Sequence, residues 1–349
     1  VVSVKEEFNY VPINRVTYGK GSVSNINSIL TQTRKKRLLI ITGNSVSKTK
    51  SFNKILNILG TDYFIMNQIT QHSPMEEIEH AVEVYRNNHC DSILSVGGGS
   101  VTDAAKVVKY YYDIETLHIA VPTTLSASEF SHIAGYTIGG EKDGIRDKKI
   151  TPQEVILDPE ITVETPERLW RSTGIRSLDH CVESIIHPNL LEISRTAALK
   201  GIRLLFDNLE SDDLESRLKC QIASWYSYWQ VYDSPMGISH NIGKVVGSRF
   251  EIPHGITSCI TLPAVMKHYS TLFPEAMREI AATISGKNVS DEDPENAYFL
   301  VKEFIASLGF SESLSKYGVE EKDADEIYSK LKNREPWHLE LIRELIRET

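Results

Sequence analysis

The sequence is short of several things, and each absence closes off a class of protein. Of its 349 residues only four are cysteine, at positions 90, 181, 220 and 259. They form no CxxC pair and no regular spacing. That excludes a disulfide framework or a zinc ribbon and fits buried, unpaired thiols in a reducing, cytoplasmic setting. No run of about 18 apolar residues occurs, so no transmembrane helix is expected. The opening stretch VVSVKEEFNYV lacks the basic and apolar parts of a signal peptide. Positive charge is in deficit: 38 Lys and Arg face 47 Asp and Glu, a formal net charge of −9. This argues against nucleic acid or an anionic membrane surface as the main partner, and leaves room for an anionic small molecule in a locally basic cleft. Repeats and low-complexity segments are missing as well.

What is present reads as an ordinary globular chain of about two domains, 41% hydrophobic and 24% charged. Short apolar runs read as strands: RLLIITG (37–43), YFIM (63–66), DSILSVGGG (91–99) and LHIAVPTT (117–124). Amphipathic segments such as MEEIEHAVEVYRNN (75–88) lie between them, and this alternation predicts a mostly parallel α/β sheet. The rhythm changes after VILDPEITVETPERLW (155–170). Beyond it the pattern predicts helices over 172–186, 191–209, 213–232, 262–285 and 295–308. The expected division is therefore an α/β domain over 1–157 and an all-helical domain over 158–349. A cleft between two domains is the natural place for chemistry.

SVGGGSVTDAAK (95–106) reads as strand, glycine turn, helix. Three glycines let a backbone approach a phosphate closely, and the helix behind them offers free N–H groups and the positive end of its dipole. Ser100 adds a hydroxyl. The motif is neither GxGxxG nor a Walker loop, so alone it says phosphate, dinucleotide or a plain tight turn. VPTTLSASEF (121–130) places Thr123, Thr124, Ser126 and Ser128 at a strand's carboxyl end, where ligands gather in open α/β sheets, although such residues also populate solvated turns. In the helical half, TGIRSLDHCVES (173–184) sets Arg176 and His180 one turn apart on one helix face. His240 and His254 follow in GISHNIGKVVGSRFEIPHG. Three histidines suit a transition metal, but their spacing matches neither a zinc finger nor HExxH.

Taken together, VTYGKGSV (17–24), LLIITG, SVGGGSVTDAAK, VPTTLSASE, LDPEITVETP and SHNIGKVVGSRFEIPHG resemble the iron-containing (group III) alcohol dehydrogenase family over nearly the whole chain. The resemblance implies a dinucleotide-binding domain followed by a helical domain, NADH or NADPH as cofactor, and a homodimer. It implies that Gly97, Gly98, Gly99 and Ser100 form the pyrophosphate turn. Asp103 then lies near the cofactor, Thr123, Thr124 and Ser126 lie beside adenine and pyrophosphate, and Lys142 lies near the nicotinamide ribose. Gly43 falls where NAD-selective members carry an aspartate for the adenosine ribose. A glycine removes the carboxylate that would repel a 2′-phosphate, so NADPH is expected to be tolerated.

The metal ligands implied by the resemblance are one Asp and three His. His180, His240 and His254 match the histidines, whereas the aspartate position is Arg176. A further active-site histidine is replaced by Lys244. A lone Fe2+ or Zn2+ beside Arg176 is disfavoured by like charge and by the missing hard oxygen ligand. Asp179 or Glu183 would have to substitute, or three histidines alone would have to hold zinc.

Maleylacetate reductases resemble the rest of the family but lack the acidic ligand, and this chain looks like a neighbouring branch, since their segment usually reads with Asn at the position of Arg176. Without a metal, donors aimed at a developing oxyanion must activate the acceptor. Arg176, His180, His240 and Lys244 are the candidates, with His254 or His240 relaying the proton. Arg176 would otherwise clamp a substrate carboxylate or pair with Glu183 or another acid of the fold. The resulting expectation is an NAD(P)-dependent reductase of a small, anionic carbonyl or oxo-acid. Its rivals are a metal-dependent alcohol dehydrogenase or aldehyde reductase with a rebuilt site, a lyase or phosphate-substrate dehydrogenase of the wider superfamily, and a non-catalytic dinucleotide sensor.

Overall fold

A computed structural model describes residues 8–187, 190–229 and 237–347. The chain divides into two compact units. One comprises Asn9–Pro166 with Ser211–Trp225, and the other comprises Glu167–Glu210 and the chain from Tyr226 onward. The sequence boundary at 157/158 therefore falls nine residues short of the division at 166/167. The reason is local: the Asp158 carboxylate accepts from the Val23 N–H at 3.1 Å and the Glu160 N–H at 3.0 Å, which ties this segment to the first unit. The stretch 211–225 returns to that unit because buried Arg217 donates to the Thr162 carbonyl at 2.9 Å and Trp225 stacks on Phe130 with ring centres 5.8 Å apart.

The first unit is built on strands β1 (Arg15–Tyr18), β2 (Arg37–Thr42), β3 (Asp62–Met66), β4 (Ser92–Gly97), β5 (Leu117–Pro122) and β8 (Glu154–Leu157), all parallel, in the order β1-β8-β5-β4-β2-β3. Helices α1 (Asn25–Gln32), α2 (Lys50–Ile58), α3 (Met75–Asn87) and α4 (Gly99–Tyr112) connect them. Leu39, Ile41 and Ile93 pack with α3 and α4 on one face, while Leu38, Ile40 and Leu94 pack with α1 and α2 on the other. A sheet covered on both faces has no polar side to show, which is why RLLIIT is apolar without alternation. The sequence reading missed the antiparallel hairpin β6 (Ile133–Ile138) and β7 (Glu141–Arg146). Its signal was the pair Gly139–Gly140, both with positive φ, as a two-residue hairpin turn requires.

The second unit is helical among its described residues: α5 (Glu167–Ile185), α6 (Glu192–Asn208), α8 (Ile238–Arg249), α9 (His254–Leu272), α10 (Pro274–Ser285), α11 (Pro294–Ser307), α12 (Ala324–Lys330) and α13 (Pro336–Arg347). The predicted helix 213–232 is α7 (Leu214–Ser227), and its last residues lie outside the described ones. The single helix predicted over 262–285 is two. Phe273 leaves helical geometry at φ −135° and Pro274 opens the next helix, where its missing N–H is harmless. Every residue of α5 from Ser172 to Ile185 is buried. No helix among the described residues is long and apolar enough to cross a membrane.

Candidate active site

Three of the sequence-predicted loops follow neighbouring strands, so parallel pairing of β2, β4 and β5 brings Gly43, Gly97–Ser100 and Thr123–Ser126 to one end of the sheet. The approach is close. A Cβ on Gly98 would lie 3.1 Å from the Thr124 methyl carbon, and one on Gly99 would lie 3.1 Å from Ser126 Oγ. The Thr123 N–H donates to the Gly97 carbonyl at 2.9 Å and seals the two loops together. Helix α4 starts without a side-chain cap, leaving its first N–H groups unspent. Beside them the buried Thr124 hydroxyl finds no hydrogen-bond partner. Unspent donors at a helix N-terminus next to an unsatisfied hydroxyl fit a pyrophosphate.

Three further predicted cofactor residues lie in or beside this unit's helix α4 and hairpin. Asp103 accepts from Ser128 Oγ, from the Gly135 N–H at 3.1 Å and from Lys106 Nζ at 3.3 Å. Its carboxylate ties α4 to the hairpin. Lys142 sits half-buried on β7, opposite Thr137, and not on a loop at the end of the main sheet. Ser100 Oγ accepts from the His72 N–H at 3.2 Å.

In the helical unit the structure gathers Arg176, His180, His240, Lys244 and His254 into one electrostatic cluster. Burial and then Arg176, His180, His254 and Lys244, in that order, hold His240 well below the ordinary imidazole range. His180 lies well below it too, by burial first and Arg176 second. Burial and the neighbouring cations thus favour the neutral form of both rings. The His180 ring is 5.7 Å from that of His240 and meets Tyr228 edge-on at 5.4 Å. Neither ring nitrogen of His180 has a hydrogen-bond partner, although the residue is only 3% exposed. Lys244 lies on an exposed position of α8 and His254 opens α9.

Arg176 is 6% exposed and its terminal nitrogens are committed. Nη1 donates to Ser258 Oγ at 2.9 Å and reaches Asp179 Oδ2 at 3.5 Å. Nη2 lies against His240, touching Nδ1 and 3.1 Å from Nε2. These nitrogens therefore face protein partners here, which is the pairing with an acid of the fold rather than a free fork. The acid partner is Asp179, not Glu183. Asp179 Oδ2 also accepts from Ser258 at 2.7 Å and Ser239 at 3.0 Å, while Oδ1 makes no hydrogen bond. Burial raises its carboxyl above the usual range against the pull of Arg176. Glu183 instead accepts from the N–H groups of Ser239 at 2.7 Å, Gly237 at 3.0 Å and His240 at 3.3 Å, capping α8.

An iron or zinc ion of the kind the family name implies, already disfavoured by Arg176 in the sequence, does not fit these residues. The acidic ligand position holds a guanidinium, that guanidinium lies on a second ligand position, His240, Glu183 is spent on protein donors, and Asp179 is engaged through Oδ2 by Arg176, Ser239 and Ser258. Among the described residues no three His, Cys, Asp or Glu side chains are placed to hold an ion. Sequence reasoning also missed Ser239 and Ser258, which orient the Arg176–Asp179 pair. Nothing in local sequence marks them, since they reach Asp179 from 60 and 79 residues away. Lys106 was missed likewise. It is fully buried and donates to the carbonyls of Ser128 at 2.6 Å and Ile133 at 2.8 Å.

Residues 13–159 match the family described as iron-containing alcohol dehydrogenase, and residues 171–333 match the C-terminal region of the same family. Maleylacetate reductase 1 of Cupriavidus pinatubonensis is 27% identical over 306 residues, 85% of this chain and 84% of that protein. A maleylacetate reductase of Rhizobium sp. strain MTP-10005 is 26% identical over 317 residues, 89% of this chain and 87% of its own. Among solved structures, a 1,3-propanediol oxidoreductase superposes with a TM-score of 0.90 at 23% identity, over 97% of this chain and all of that one. The structure of the Rhizobium maleylacetate reductase gives 0.84 at 24%, over 98% and 97%. At those identities the structures establish the fold. The chain belongs to the iron-containing alcohol dehydrogenase family. It is an NAD(P)-dependent oxidoreductase.

Proposed function

We propose that the protein reduces a small anionic carbonyl or oxo-acid, in the manner of a maleylacetate reductase, by hydride transfer from NADH or NADPH. One observation carries this reading: the cluster is built from donors. Arg176, Lys244 and imidazoles held toward the neutral form make it up, and its two acids already accept protein hydrogen bonds, Asp179 through Oδ2 and Glu183 through both oxygens. Such a site attracts negative charge and stabilises an oxyanion.

In this reading the glycine turn and Thr124 hold the pyrophosphate, and the bound nicotinamide supplies the hydride. His180, whose ring nitrogens are bare, donates to the acceptor oxygen. Arg176 holds the His240 ring and keeps it neutral, and His254 relays the proton from solvent. Metal chemistry of the ordinary family kind is not needed for any of these steps. The reading extends to a cytoplasmic homodimer, in keeping with four free, buried thiols and with the family resemblance.

The test is NAD(P)H consumption with maleylacetate and other carboxylated oxo-compounds, set against uncharged aldehydes of equal chain length. The charged substrates are expected to lead in kcat/KM by at least tenfold, about 1.4 kcal/mol. A preference for the uncharged series would refute the proposal.

A further inference from the structure

We propose that Arg176 is the resident cation of this centre. With Asp179 as its counter-ion, the guanidinium fills the electrostatic role that a divalent ion fills elsewhere in the family. The wild-type chain then takes no divalent ion here, and one substitution, R176D, is enough to install it. This goes beyond the substrate reading and does not rest on it.

Three observations carry the proposal. The first is commitment. Arg176 is buried, and both terminal nitrogens are engaged, by Asp179 and Ser258 on one side and by His240 on the other. A guanidinium is always charged, so a divalent ion drawing on His240 would have to share the ring edge with a fixed positive charge. The second is compensation. Asp179 is completely buried, and Ser239, Ser258 and Arg176 all converge on its Oδ2. A buried cation persists when a buried anion and hydrogen bonds accompany it, and here the hydroxyls of two further helices supply them. The third is placement. Arg176 and His180 stand one turn apart on α5, so an aspartate at 176 adds a hard oxygen next to an imidazole whose nitrogens are unused. Freed of the guanidinium, His240 becomes a ligand again, with His254 as the remaining imidazole.

The experiment uses the full chain, purified without added metal, treated with chelator and titrated with Co2+, whose ligand-field absorption reports imidazole and carboxylate binding directly. Wild type and R176Q are expected to stay silent. R176D is expected to bind one Co2+ per chain at least tenfold more tightly than R176Q, with the absorption lost in R176D/H180A. Binding of one Co2+ by wild type, abolished in H240A, overturns the proposal, and so does an R176D chain that binds no better than R176Q. If circular dichroism shows R176D unfolded, the wild-type titration decides: silence upholds the proposal and an absorption band overturns it. Turnover is followed on the same wild-type preparation, so a metal-free chain that ignores every oxo-acid refutes only the substrate reading.

Discussion

Glu129, the glutamate of VPTTLSASEF, is 1% exposed, and its Oε2 has no hydrogen-bond partner. Burial pushes its carboxyl up from 4.5 to about 7, with Lys106 pulling the other way. A raised folded value means that the native state holds the extra proton. The stability it contributes is fully present below about 4.5 and is lost as pH rises through about 7, in all about 3 kcal/mol. Glu129→Gln keeps the shape and removes the titration. In urea unfolding, wild type should lose about 3 kcal/mol relative to E129Q between pH 4 and pH 8, and parallel pH profiles would show that folding does not raise the carboxyl's pKa. The Arg176–Asp179 pair makes a second prediction. Arg176→Met leaves Asp179 buried without its cation and should cost about 3–5 kcal/mol, whereas adding Asp179→Leu should restore much of that loss. A double variant as unstable as the sum of the single ones would mean that the two charges are not coupled.

Single elements put these residues to work. Helix α8 begins at Ile238, and three of its leading N–H groups, including that of His240, converge on Glu183. A carboxyl there satisfies orphan donors and meets the positive end of the dipole. Gly237 is what lets it in, since a Cβ at 237 would lie 2.5 Å from Glu183 Oε1. Gly237→Ala should therefore destabilise the chain by about 1–3 kcal/mol, as overpacking does. It should also lower kcat, because displacing Glu183 frees the start of the helix that carries His240. Thermal unfolding and steady-state kinetics check both arms, and an unchanged kcat in a destabilised chain would separate the cap from the reaction. At the other unit, Gly99→Ala drives a methyl against Ser126 Oγ, 3.1 Å from the Cβ position. It should weaken NADH binding about tenfold, some 1.4 kcal/mol, as read by fluorescence titration.

At the scale of the molecule, the expected cofactor tolerance is tested at the end of β2. Gly43 offers no carboxylate to a ribose, and a Cβ there would crowd the Ile69 carbonyl at 3.1 Å. NADPH and NADH should therefore differ by less than a hundredfold in kcat/KM, under about 2.7 kcal/mol, and a larger preference for NADH would refute the assignment. Much of the architecture was legible because it is local. Continuous apolar runs announced β2, β4 and β5, a glycine turn announced the start of α4, and the spacing of Arg176 and His180 announced one helix face. What local pattern does not carry was missed: the hairpin at 133–146, the break at Phe273 between α9 and α10, and the return of 211–225 to the first unit. The residue sequence by itself determined that a cation stands where an acid was expected, since identity and helical spacing are properties of one short segment. Only the tertiary structure decided what that cation does. Ser239, His240 and Ser258 come to the Arg176–Asp179 pair from two other helices, and which buried charge finds which partner depends on packing between segments far apart in the chain.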